Sequence, residues 1–340
     1  MKRMLSLMCV LMAAGVAAGA EIQEEQRCDA LPGGQVHVKN VAGAVKLSSW
    51  EKNEVFVHAV MEKKSGKLHL DCTQGHVEIS VSPKNMEADL TISVPAQSSL
   101  GVETVSASIA VERVAGTLKF ESVSGDIGLA GDAQAIFATT VSGDITLKAS
   151  AAELEAQSVS GDIVCAGDFP RLKSSNISGD LTFTGAIGSA SLENTSGSTE
   201  IKGSVNEVEA ATIGGDIIID KAAGRASLTA MSGDLRLVGE GLKDAGFETV
   251  SGDVEYKGDL APNGALRIEA KSGPVHVALP ESTAAVFNLH TLSGGIHSAF
   301  GAGQQDSLPG QGHSLRFTQG DGGGSVKIDT LSGSIELSRR

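Results

Sequence analysis

The sequence predicts an all-β protein: a β-solenoid of 18-residue coils, each made of two nonapeptide turn-strand units, behind an irregular β-rich N-terminal cap. Three observations carry that expectation. A Ser-Gly-Asp tripeptide returns at a fixed interval, aliphatic residues alternate after each copy, and aromatics make up only 3% of the 340 residues, so the interior must be narrow.

The interval comes first. Asp126, Asp144, Asp162 and Asp180 fall 18 residues apart; the next step lands on Ser198, and Asp216 and Asp234 resume the series. The spacing then opens to 19 at Asp253 and to 21 at Pro274 and again at Gly295, before a last copy at Ser334. Written in nines from Val105, the chain reads VSASIAVER, VAGTLKFES, VSGDIGLAG, DAQAIFATT, VSGDITLKA, with the fifth and seventh residues apolar. Such alternation is a short strand with one buried face, and the Gly, Ser and Asp that open each nine are turn residues. Val123, Ile127 and Leu129 are expected in the core. One unit cannot bury its own apolar face, but stacked units close a continuous core. Roughly a dozen coils at about 4.8 Å each would span near 60 Å. A three-sided helix of hexapeptides ranks second, because no six-residue apolar repeat is visible.

Residues 21–100 alternate without the nine-residue register, as in Gln35-Val-His-Val-Lys39 and Glu54-Val-Phe-Val-His58, and read as the cap that hides the first open edge. Residues 101–340 form the solenoid, with a Gly-rich loop inserted at 301–324. Residues 1–20 have Lys2 and Arg3 before an apolar run and end in Ala18-Gly19-Ala20, the pattern of a cleaved signal peptide. After cleavage no stretch is long and apolar enough to span a membrane.

Charge and cysteines narrow the function. Without residues 1–20 the chain carries 25 Lys and Arg against 41 Asp and Glu, a net charge of −16, which repels nucleic acid and anionic lipid. Exported, Cys28 and Cys72 are candidates for a disulfide, whereas Cys165 occupies an apolar repeat position.

Two readings compete for the aspartate row. In the favoured one each carboxylate accepts hydrogen bonds from backbone N–H groups at a solvated turn, and the glycine before it, at Gly125, Gly143, Gly161, Gly179, Gly197, Gly215, Gly233 and Gly252, takes a positive φ. In the other, Asp126, Asp144, Asp162, Asp180, Asp216, Asp234 and Asp253 form a calcium ladder. The aspartate recurs in alternate nines without the second glycine of calcium-binding nonapeptides, which favours the turn. No catalytic, cofactor or metal residues are assigned. The acids are spread evenly, the histidines stand singly, and GDGGGS at 320–325 lacks the Lys-Ser/Thr ending of a phosphate loop.

The segment ADLTISVPAQSSLGVETVSASIAVERVAGTLKFESVSGDI, the early Ser49-Trp50-Glu51 followed by EVFVHA, and the closing DTLSGSIEL resemble the bacterial "putative adhesin" repeat family. The resemblance covers essentially the whole chain after residue 20. It implies an exported solenoid-like β-protein with no established enzymatic activity.

The expected function is therefore a non-enzymatic, exported cell-envelope protein, periplasmic or at the cell surface. It would be a structural or adhesive scaffold that binds an unknown protein or glycan and needs no cofactor. The alternatives are a polysaccharide-binding or carbohydrate-active solenoid and an envelope-stress or signalling accessory protein. Candidate contact surfaces are the 301–324 segment and the cap around Trp50.

Overall fold

A computed structural model describes residues 22–62, 66–73, 75–83, 87–300, 304–308 and 312–340. The expected signal peptide, residues 1–20, lies outside them. The described residues contain strands, turns and bends and no α-helix, and the fold is the expected β-solenoid. The chain divides into two compact units, Met1–Gly167 and Asp168–Arg340.

In the first unit each coil contributes one strand to each of two faces. Thr117–Glu121 pairs in parallel with Ser99–Thr104 and with Ala133–Thr139, which sets Leu118 beside Leu100 and Ile136. On the other face Ile127–Ala130 pairs with Ser108–Glu112 and Ile145–Lys148, so that Ile127 lies between Ile109 and Ile145. Leu118, Phe120, Ile127 and Leu129 are all buried. Two residues per strand face inward, as period-2 alternation requires, and parallel stacking puts like on like.

The N-terminal part joins this stack out of chain order. Gln35–Asn40 pairs in parallel with Ser99–Thr104, and Ala42–Trp50 with Ser108–Glu112. Two further strands stack on the far side of them, His76–Ser82 on Gln35–Asn40 and Glu87–Pro95 on Ala42–Trp50. Antiparallel strands close the end: Lys67–Thr73 covers His76–Ser82, Glu54–Met61 covers Glu87–Pro95, and Ile22–Asp29 covers Glu54–Met61. Ile22–Asp29 and Lys67–Thr73 are joined by a Cys28–Cys72 disulfide. Glu24 accepts from the Leu68 N–H at 3.0 Å and Gln26 donates to the Leu68 carbonyl at 3.0 Å, so side chains occupy backbone groups that would otherwise recruit another strand.

In the second unit each coil is one long bent strand, as in Leu181–Ser196, Thr199–Gly214 and Ile217–Ser232. The longer repeats do not disturb the Ser-Gly-Asp corner. Ser232, Ser251, Ser272 and Ser332 stay in register, while the register shifts fall at the opposite corner, between Gly239 and Asp244 on one strand and their partners on the next. The last copy in the chain is not last in space. Gly324–Ser332 pairs with both Val254–Ser272 and Ala285–Thr291, so the corner at Ser334 lies between those at Pro274 and Gly295.

The segment expected as an inserted loop, 301–324, is largely strand. Gly312–Gln319 pairs antiparallel with Ala285–Thr291 and with Gln304–Leu308, and Phe317 stacks on Phe287 at 4.5 Å. Gly312–Gln319 thus covers an otherwise open edge of Ala285–Thr291, and Gly312, Gly320 and Gly322 at and near its ends take positive φ, which is why the repeat's register is broken here in the sequence. Residues 301–303 and 309–311 lie outside the described residues.

Candidate interaction surface

Four positions of the repeating corner have distinct environments. In the first unit the leading residue is buried and polar: Thr104, Ser122, Thr140 and Ser158. Ser122 Oγ accepts from the Gly125 N–H at 2.8 Å and Thr140 Oγ1 from the Gly143 N–H at 3.1 Å, tying each turn closed from within. Thr104 Oγ1 links this row coil to coil by donating to Ser122 Oγ at 3.0 Å. In the second unit Asn194 does the equivalent work, donating from Nδ2 to the carbonyls of Gly179 and Gly197.

The next position is apolar and faces out, which corrects the expectation for Val123. Val105, Val123, Val141 and Val159 are 47, 45, 43 and 41% exposed. In the parallel stack they form one ladder, held by bonds from the N–H groups of Ser124, Ser142 and Ser160 to the carbonyls of Val105, Val123 and Val141. Val41 begins the ladder, its carbonyl accepting from Ser106 N–H. The second unit has its own exposed set in Ile177, Ile213, Met231, Val250, Leu292 and Leu331. The chain turns between Phe120 and Ile127, and the turn reverses the usual rule: the hydroxyl goes in to cap the glycine, and the aliphatic residue goes out.

The glycine position is dictated by close approach. A Cβ on Gly143 would overlap the carbonyl of Gly125, and one on Gly161 that of Gly143. The expected positive φ holds in the second unit, for example at Gly197 (119°), but Gly125, Gly143 and Gly161 lie outside the left-handed region. There the stacking distance alone excludes a side chain.

The aspartates point along the stack. Asp126 Oδ1 accepts from the Asp144 N–H at 3.0 Å, and Asp144 Oδ1 from the Asp162 N–H at 2.9 Å. In the second unit Asp180 accepts from Ser198 N–H, Asp216 from Asp234 N–H and Asp234 from Asp253 N–H, at 2.8, 2.8 and 2.9 Å. The partner in each of these bonds is the next coil. Ser198 occupies the donor side, which needs only a backbone N–H. A second set, missed in the sequence, does the same elsewhere: Asp132 accepts from Ser150 N–H and Asp168 from Ala186 N–H. Among the described residues no three His, Cys, Asp or Glu converge as a metal site.

Beside the valine ladder of the first unit lies a groove of about 660 Å³, lined by Val41, Val81, Val105 and Val123 with Lys39, Glu78, Glu103 and Glu121 on its walls. Lys39 lies 3.7 Å from Glu78 and 4.0 Å from Glu103, and Glu103 also meets His37 Nε2 at 3.1 Å. The His37 ring lies over Gly101, where a Cβ would collide with it. Glu121 binds Lys119 at 2.6 Å, and that hydrogen bond holds the Lys119 ammonium above its usual pKa.

Trp50, a candidate contact, is half-buried. Its indole N–H donates to the Glu54 carbonyl at 2.8 Å and its ring stacks near Phe56 with Lys52 above it, so local packing already occupies it.

The fold and its repeating corner define the class as a repeat-built β-solenoid. The family Toastrack DUF4097 matches residues 29–169 and 164–338, and the chain belongs to it. Solved structures similar to it include a "putative cell adhesion protein" from Clostridium sporogenes, at 10% identity over 94% of this chain and 100% of that one, TM-score 0.17. Others are a "putative adhesin" from Bacteroides fragilis, at 13% identity over 71% and 95%, TM-score 0.30, and one from Parabacteroides merdae, at 10% over 69% and 94%, TM-score 0.31. No curated protein matches the chain.

Proposed function

We propose that this protein is a non-enzymatic, exported scaffold of the cell envelope, periplasmic or at the cell surface, that works by adhesion or partner binding through its repeating corner. The observation that carries this reading is the exposed aliphatic ladder. Valines at four successive corners stay outside while a hydroxyl is buried in their place, and a groove runs beside them. Contiguous exposed apolar surface on a soluble fold marks an interaction site. The Cys28–Cys72 bond supports an oxidising compartment, and the net charge, −14 for the whole chain, supports a protein or glycan partner over nucleic acid.

Beads coated with the purified protein should retain bacterial cells or envelope fragments, and V105S/V123S/V141S should lose most of that retention. Equal retention by the variant would remove the ladder as the contact surface. A glycan array and a reducing-sugar assay separate the scaffold from a carbohydrate-active enzyme. Steady release of reducing ends from any polysaccharide would overturn the reading.

A further inference from the structure

Acids stand on both sides of the valine ladder, on one side at Glu103 and Glu121 alone, where Lys39 and Lys119 pair with them. Two residues before the valines stand Glu103 and Glu121, followed along the stack by Thr139 and Gln157; three residues after them stand Asp126, Asp144 and Asp162. Among the described residues Lys39 is the cation that lines the groove, and Glu78 and Glu103 hold it. A second copy of the chain would bring the same acid rows, and an anionic lipid surface the same sign, so both are repelled. A partner with apolar residues between cations is attracted.

Spacing then selects the partner's backbone. Successive valines are separated by one strand spacing, about 4.8 Å, whereas a helix presents one apolar residue per turn of ~5.4 Å and a strand one same-face residue every ~6.8 Å. Over the four intervals from Val41 to Val159 a helix drifts by roughly 2.4 Å, under half a turn, and a strand by roughly 8 Å, more than one full repeat. A helix stays in step along the ladder and a strand does not.

We propose that the groove and valine ladder of the first unit bind an amphipathic helix of a partner protein, its apolar stripe flanked by Lys or Arg. This rests on the corner being a binding surface. Its energetic source is apolar burial along the ladder, and the acidic rows set orientation and speed of encounter.

Three labelled synthetic peptides of about 18 residues, roughly 27 Å as a helix, test it: a Leu/Lys amphipathic helix, a Leu/Glu helix of the same pattern, and a Leu/Lys peptide of the same composition with strict alternation. Fluorescence anisotropy with the purified protein should show saturable binding of the first, weakening as salt rises, and at least about tenfold weaker binding of the others. V123S/V141S should weaken the first by about tenfold or more, and E103Q/E121Q should flatten its salt dependence. Circular dichroism and the thermal midpoint report whether the variants fold, and V141K alone replaces the double variant if it does not.

Equal binding of the Leu/Glu helix or the alternating peptide, or unchanged affinity in the folded ladder variant, overturns the proposal. So does a dimer in sedimentation that V123S/V141S abolishes, or binding to phosphatidylglycerol vesicles in preference to the helix. Loss of cell retention by the ladder variant, with no helix binding, removes the helix and keeps the scaffold; the opposite pattern removes the scaffold and keeps the helix site.

Discussion

The carboxylate of Asp126 accepts the backbone N–H of Asp144 at 3.0 Å, one coil further on and 18 residues later. That single bond turns a row of like charges into a row of links. Neighbouring carboxylates repel by about 1 kcal/mol in water-like surroundings, and a hydrogen bond from an N–H to a charged acceptor contributes about as much or more.

Removing one link should therefore be mild. Asp144→Ala is expected to cost about 1 kcal/mol in urea unfolding, because lost repulsion partly offsets the lost bond, and Asp144→Asn less, since its oxygen still accepts. The thermal midpoint should be the same in EDTA and in excess calcium. A calcium-dependent rise, reduced by Asp144→Ala, would give the row a metal-binding role.

Glycine is the reverse case. Gly143→Ala puts a methyl group into the Gly125 carbonyl, which the stack cannot move without parting two coils. The expected loss is on the order of 3 kcal/mol or more, several times that of Asp144→Ala, and chemical denaturation of the two variants side by side measures it. A Gly143 variant as stable as the parent would mean the coils can separate at the corner.

Val123 and Ile127 sit four residues apart in one repeat, and they should respond oppositely to serine. Val123→Ser exposes nothing new and should stay within about 0.5 kcal/mol of the parent. Ile127→Ser buries a hydroxyl between Ile109 and Ile145 and leaves a void, which should cost about 3 kcal/mol. Similar losses at both positions would return Val123 to the core.

The strands were legible because Leu118, Phe120, Ile127 and Leu129 alternate, and alternation has one physical meaning at this length. Val123 misled because apolarity alone says nothing about which side of a corner a residue takes. The missing signal was the polar residue before it: Ser122, Thr140 and Ser158 recur at one phase, as a turn cap would. The stacking order at the ends was hidden for a different reason. Gly324–Ser332 meets Val254–Ser272 and Ala285–Thr291 with the same local pattern, so nothing in the pattern says which pairing is taken. The helix-binding groove was invisible because its Val41 and Glu78 come from segments that join the stack out of chain order.

The disulfide and the free thiol should separate under reagent. Cys28 and Cys72 are 44 residues apart and link the two outermost strands, so C28S/C72S is expected to lose about 2–4 kcal/mol and to open the N-terminal end first in hydrogen exchange. Cys165 is buried, and desolvation pushes its thiol well above the usual range, so it stays protonated. It should resist iodoacetamide in the native protein and react fully in denaturant; rapid native labelling would show that its coil opens.

Tyr256 supplies the pH dependence. It is the chain's one tyrosine, it is buried, and its hydroxyl donates to the Asp259 carbonyl at 2.9 Å. Burial, with the nearby Asp259 carboxylate, raises its pKa far above the value near 10 of an exposed phenol, against a small opposing pull from Arg340. Below about pH 10 the folded and unfolded chains both keep the proton, and the native environment contributes in full. Above it the unfolded chain releases a proton that the folded chain retains, so stability falls as pH rises, by up to about 1.4 kcal/mol per unit from this group. Lysines titrate over the same range, so the readout is the difference between the parent and Tyr256→Phe. The variant should be less stable at pH 8 for want of the hydrogen bond, and the gap should close as pH climbs from 10 to 11. Absorbance near 295 nm should show phenolate only as the protein unfolds; ionisation near pH 10 in the native state would place the ring in solvent.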